Sequence, residues 1–116
     1  MNRLPSTTKP ERPFLDWPVA TDASGWNATV ALLGIRHSEP YGHDPFPNDQ
    51  SKAPAAIRAM SQSFCYNPAH WDFDVGGDLA SSLPSHVDMG DVAFDGGNYD
   101  AYAADVTARV RHVWSR

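Results

Sequence analysis

An apolar run at residues 28–35, Ala-Thr-Val-Ala-Leu-Leu-Gly-Ile, constrains this chain more than any other feature. It is β-branched towards both ends and does not alternate with polar residues, the pattern of a strand buried on both faces in a parallel sheet. A parallel neighbour needs a crossover, usually a helix, and a helix signal follows over residues 53–64. Ser51 reads as its N-cap, and Pro54 falls in the first turn, where its missing N–H and fixed φ suit the helix. Ile57, Met60 and Phe64 recur at spacings of three and four and define one apolar face. Asn67-Pro68 then ends the helix. Between strand and helix lie roughly 15 residues rich in Pro, Gly, Asp and His, against about 2 to 6 in an ordinary βα connection. In open α/β sheets ligands bind beyond the carboxyl ends of the strands, which is where residues 36–50 fall.

Upstream, residues 1–27 carry four prolines and little periodicity, and read as an extended N-terminal arm. Phe14, Leu15, Trp17 and Trp26 are too apolar for a free linker. Two readings are open: the arm lies across its own domain, or it clasps a neighbouring subunit. Downstream, residues 71–78 form an acidic-aromatic loop, a second strand is expected over residues 85–89, and Gly90-Asp91-Val92 turns the chain out of it. Asn98 caps a final helix whose apolar face is Tyr99, Tyr102, Ala103, Val106, Val110 and Val113. Arg109, Arg111 and Arg116 lie near its C-terminus, where cations suit the dipole. The expected order is strand, helix, strand, helix over residues 28–116, an α/β unit that leans on a further sheet or a homologous subunit.

With 116 residues the chain is at most one domain. Nine basic against fourteen acidic residues give a net charge of −5, and no local Lys/Arg cluster exists, which disfavours nucleic acid and anionic membrane as partners. Cys65 is the one cysteine and reads as a packing residue, in keeping with a reducing, cytoplasmic setting. No apolar stretch reaches signal-peptide form or the ~18 residues of a membrane span.

Five histidines and fourteen carboxylates invite a search for a metal site. His37, His43, Asp44 and Asp49 share the long loop, but no helical or strand spacing fixes them as a ligand set, so surface or substrate-contact roles fit better. Asp72 and Asp74 point the same way in an extended segment and suit either a bridging cation or turn capping. Asp88 and Asp91, at the end of the second strand, either approach a reacting centre or accept backbone N–H groups. Gly76-Gly77-Asp78 lacks the spacing of a phosphate loop and is expected to have no helix after it. Neither a Gly-x-Ser-x-Gly elbow nor a Cys-x-x-Cys pair occurs.

Four segments in order carry a resemblance: Leu33-Gly34-Ile35-Arg36, Ala53-Pro54-Ala55-Ala56-Ile57-Arg58, Trp71-Asp72-Phe73-Asp74 and Val87-Asp88-Met89-Gly90-Asp91-Val92. Together they resemble the N-terminal third of the ureohydrolases, the arginase, agmatinase and guanidinase group. There the matching elements read G-[IV]-P, G-P-x-A-[IL]-R and V-D-x-G-D. Pro40-Tyr41 through Asn48-Asp49-Gln50 looks closest to the guanidinase and metformin-hydrolase-like branch. The resemblance implies the first β-α-β-α part of a three-layer, parallel-sheet, arginase-like fold.

It also implies an activity. Two divalent metal ions, manganese or nickel, hold a hydroxide that attacks a guanidinium carbon, giving urea or a substituted urea plus ammonia or an amine. The family's ligand segments, Gly-Gly-Asp-His, Asp-Ala-His-x-Asp and Asp-x-Asp, lie after the part this chain matches. Gly76-Gly77-Asp78-Leu79 is not the first of them, since Leu79 stands where the ligand His would be. No catalytic residue and no metal ligand is carried over, and this segment is expected to bind neither ion by itself. What the resemblance implies for these residues is a substrate rim of His37, Asp44, Asn48 and Asp49. The expected partners are the rest of a ureohydrolase domain or a homologous subunit, in a homo- or hetero-oligomer, and a small guanidinium substrate. Two other readings stay open, a non-catalytic structural or regulatory subunit docking on a full-length homologue, and an independent small binding domain.

Overall fold

The computed structural model describes residues 5–21, 27–36, 49–64, 69–74, 76–93 and 99–115. Its elements are β1 (Thr7–Thr8), β2 (Val30–Ile35), α1 (Ala53–Phe64), β3 (Trp71–Asp72), β4 (Gly77–Asp78), the one-turn helix α2 (Leu79–Ser82), β5 (His86–Val92) and α3 (Tyr99–Trp114). The apolar run does form a strand, and it pairs in parallel with β5 from Val30 opposite His86 to Ile35 opposite Val92. α1 is the crossover between them. The strand–helix–strand–helix order of the sequence is therefore present, in a mixed α/β arrangement.

The sheet is mixed, where an all-parallel one is expected. Its order is β1-β5-β2, with β1 antiparallel to β5 through Thr7 opposite Val92 and Thr8 opposite Asp91. The arm meets the same edge of β5 a second time. Pro18 accepts from the Asp88 amide at 2.8 Å and Ala20 donates to the Asp88 carbonyl at 3.0 Å, while Val19 bridges Asp88 in parallel. Much of residues 5–21 thus lies along its own domain. The physical reason is the open N–H and C=O row of β5, which the Pro-rich arm satisfies in two short stretches.

Trp17, Val87, Met89, Val92 and Tyr102 are the buried apolar side chains among the described residues. Trp17 packs edge-on to Phe14, with ring centroids 5.1 Å apart, and against His86 at 4.5 Å. Arm and β5 therefore share one core.

Several local expectations are corrected. The second strand runs on through Val92, because Gly90-Asp91-Val92 continue the ladder instead of leaving it. Ser51 is not an N-cap: a 3₁₀ turn, Gln50–Lys52, leads directly into α1. A helix does follow Gly76-Gly77-Asp78, since Asp78 caps α2 by accepting from the Ser81 amide at 2.6 Å. The Ser81 hydroxyl, which donates to the other carboxylate oxygen at 2.6 Å, and then this amide hold the Asp78 carboxyl below its ordinary range. Residues 71–78 contain a small hairpin, Trp71 opposite Asp78 and Asp72 opposite Gly77. In α3 the inward side chains are Tyr102 and Arg109, whereas Tyr99 and Val110 are exposed. Arg109 serves the arm and not the helix dipole: it donates to the Thr21 carbonyl at 3.0 Å and reaches Pro5 O and Thr7 Oγ1, both at 3.4 Å.

No described helix is long and apolar enough to cross a membrane.

Candidate functional site

The site is built on an irregularity in β5. Leu32 stands opposite Asp88, but Gly34 stands opposite Asp91, so two residues of β5, Met89 and Gly90, face the single Leu33. This is a β-bulge. Residues three apart on a regular strand point to opposite faces. The extra residue cancels that alternation and brings Asp88 and Asp91 to the same face. Gly90 has φ +74°, a left-handed conformation, and a Cβ there would collide with the Thr8 carbonyl of the arm. Gly34 leaves room on the neighbouring strand, because a Cβ on it would overlap the Asp91 carboxylate.

Both carboxylates meet Arg58 of α1. Arg58 donates to Asp88 through Nε at 2.8 Å and a terminal nitrogen at 3.0 Å, and to Asp91 through the other terminal nitrogen at 2.6 Å. The fork geometry of guanidinium makes this two-carboxylate grip possible. The side chains of Arg58 and Asp88 are 4% and 0% exposed, that of Asp91 12%. Burial works against the Arg58 cation, yet the hydrogen bonds and charges of the two carboxylates outweigh it and hold its pKa above the ordinary arginine value. Burial likewise pushes Asp88 up, but Arg58 together with the Phe14 and Gly90 amides brings it below its ordinary value. Those amides donate to Asp88 at 2.9 Å each. Asp88 therefore holds strand, helix and arm together with both its oxygens, and Asp91 ties the strand to the helix through Oδ1.

Above this network opens a cavity of about 470 Å³. It lies at the carboxyl end of β2 and β5, where α/β sheets place ligands. Asp91 and Arg58 form part of its lining, the 3₁₀ turn and first turns of α1 supply Ser51, Lys52 and Ala55, β2 leads into Arg36, and the arm adds Lys9 and Arg12. The cationic side chains come from three separate segments. Nothing in the local sequence marks them as a group; the signal available was that Arg36 and Lys52 flank the long loop.

Of the expected rim residues, His37, Asp44 and Asn48 lie outside the described residues, as do His43, Cys65 and Asn98. Asp49 is described. Its side chain is 84% exposed at the start of the 3₁₀ turn and pairs with Lys52 at 3.1 Å, so it stands beside the cavity. Asp72 accepts from the Asp74 amide at 2.8 Å in an exposed turn, the capping arrangement. Among the described residues no group of three or more His, Cys, Asp or Glu side chains is placed to hold a metal ion.

No family model, curated protein or solved structure matches this chain.

Proposed function

We propose that the chain is the N-terminal α/β portion of a ureohydrolase-type enzyme, which cleaves a guanidinium C–N bond to give urea or a substituted urea and ammonia or an amine. One observation carries the reading. Residues from three of the four resembling segments, Gly34, Arg58 and the Asp88-Gly90-Asp91 group, interlock in one network at the carboxyl end of the parallel pair. Motif residues scattered by chance have no reason to need one another: Gly34 makes room for Asp91, Gly90 sets its direction, and Arg58 binds it.

The described residues do not fit a two-metal centre, because Asp88 and Asp91 are already held by Arg58 and no other group of ligands gathers. On this reading manganese or nickel belongs to residues other than those described. The part played by this chain is to brace the strand ends and shape the rim of the substrate pocket, with His37, Asp44, Asn48 and Asp49 as the proposed contacts.

The test is an assay of the protein in its native assembly, loaded with manganese or with nickel. The substrates are arginine, agmatine, guanidine, guanidinobutyrate and biguanides. Urea or substituted urea should appear, and alanine at His37, Asp44, Asn48 or Asp49 should change kcat/KM unequally among substrates while metal content stays constant. No turnover of any guanidinium compound would overturn the proposal.

A second reading, a non-catalytic subunit docking on a homologue, draws on a different observation. Ile57 and Met60 on α1 are 58% and 48% exposed, and Ile35 at the end of β2 is half-exposed. In the same assay it requires turnover that is indifferent to all four rim substitutions.

A further inference from the structure

We infer that the cavity over the Arg58 network is a binding site for a small multivalent oxyanion, one bearing a phosphate group or two or more carboxylates. The inference stands independently of the hydrolase reading.

The first ground is charge placed against the trend of the chain. The protein carries −5 overall, yet among the described residues this cavity is lined by Lys9, Arg12, Arg36, Lys52 and Arg58 against the carboxylates Glu11 and Asp91. Arg58 is itself spent on Asp88 and Asp91 beneath the cavity, so the positive excess rests on Lys9, Arg12, Arg36 and Lys52. Lys52 shares its charge with Asp49, while Lys9, Arg12 and Arg36 make no ion pair among the described residues. A concave site lined by like charges from three segments strengthens their joint field towards an anion.

The second ground is position. Ser51, Lys52 and Ala55 put the beginning of α1 on the cavity wall, and α1 with its leading 3₁₀ turn is long enough to present a positive dipole end there. Guanidinium and ammonium groups then add directional donors, with arginine able to grip two oxygens at once.

The third ground is size. About 470 Å³ exceeds what one inorganic ion needs and falls within the range of small-molecule pockets, roughly 300 to 1,000 Å³. Two of the cations, Lys9 and Arg12, come from the arm just after β1, so a bound anion would tie the arm to the start of α1 and the end of β2.

The test is calorimetric titration of the full chain with pyrophosphate and with citrate, at an ionic strength held constant by sodium chloride, with acetate as the monovalent comparison. Saturable one-to-one binding of pyrophosphate, citrate or both, tighter than acetate, is expected. Pyrophosphate alone assigns phosphate chemistry and citrate alone assigns polycarboxylate chemistry. The double variant Arg12→Gln/Arg36→Gln should weaken binding about a hundredfold, roughly tenfold for each guanidinium removed from the anion. Arg111→Gln, on an exposed turn of α3, should leave it unchanged. Circular dichroism checks that the double variant is folded, and Lys9→Gln, a milder change on the arm, gives a second reading of about tenfold weaker binding. No saturable heat with either anion, equal affinity in wild type and folded variants, or an effect reproduced by sodium chloride would each overturn the inference.

Discussion

Replacing Arg58 by Met tests the network on which the whole architecture depends. Met keeps length and apolar bulk but leaves Asp88 with no cation in a place where its side chain has no exposed surface. Removing one member of a buried ion pair costs about 3 to 5 kcal/mol, chiefly because the remaining charge is desolvated and unpaired. A 116-residue domain has roughly 6 to 17 kcal/mol in total, at about 0.05 to 0.15 kcal/mol per residue, so the loss is large on that scale. Urea denaturation followed by tryptophan fluorescence reads it out, since Trp17 is buried beside β5. The pH dependence supplies a signature that a simple packing defect lacks. In the wild type Asp88 has a lowered folded pKa, so its stabilisation is present above the ordinary carboxylate range near ~4 and is lost as pH falls through the lowered value. In Arg58→Met burial acts on Asp88 without the cation and raises its pKa. The folded state then binds a proton before the unfolded state does, and stability rises as the pH falls from 7 towards ~4. The difference between the two profiles should therefore shrink on acidification. A loss under about 1 kcal/mol, or a gap that stays constant with pH, would refute the reasoning.

Gly34→Ala should destabilise by about 1 to 3 kcal/mol, since the new methyl overlaps the Asp91 carboxylate and the strand must shift to admit it; the same urea titration measures this. Gly90→Ala meets both a positive φ and the Thr8 carbonyl, so it should free β1 from β5, seen as faster amide exchange at Ala93, which donates to the Ser6 carbonyl, than at β5 amides that face β2. Arg109→Leu withdraws the donor to the Thr21 carbonyl and should increase protease cutting within residues 5–21 while the far-ultraviolet dichroism of α3 is retained. Tyr102→Phe removes a hydroxyl that accepts from the Arg36 amide and donates to the Val92 carbonyl, and should cost about 1 kcal/mol without altering the fold.

The strands and helices were legible where period and composition act locally. The apolar run at 28–35 does form a strand, but at the edge of the described sheet, with only Gly34 buried and Ile35 half-exposed, and not buried on both faces as its composition suggests; the Ile57–Met60 spacing is helical whatever surrounds it. The bulge was not, because Gly90 reads as a turn residue when its neighbours are unknown, and strand alternation taken at face value puts Asp88 and Asp91 on opposite faces. With a slip of one residue supplied, the Asp-Met-Gly-Asp spacing becomes intelligible. The arm's attachment was illegible for another reason. The Phe14 amide and the Asp88 carboxylate are 74 positions apart, and no periodicity reports a contact of that range. The cationic cavity combines both difficulties: its members are single charges in three distant segments, each unremarkable alone.

The outer edge of β2 has a colloidal consequence. Among the described residues β2 pairs only with β5, so one side of Val-Ala-Leu-Leu-Gly-Ile presents an unfilled ladder. Six residues without charge or proline, rich in β-branched and aliphatic side chains, have the composition of segments that stack into cross-β fibrils. The first charge after them is Arg36, which acts as a gatekeeper at the end of the strand and leaves its middle unguarded. A strand or subunit covering that edge would do more than complete a sheet: it would keep an apolar hexapeptide of that composition out of solution.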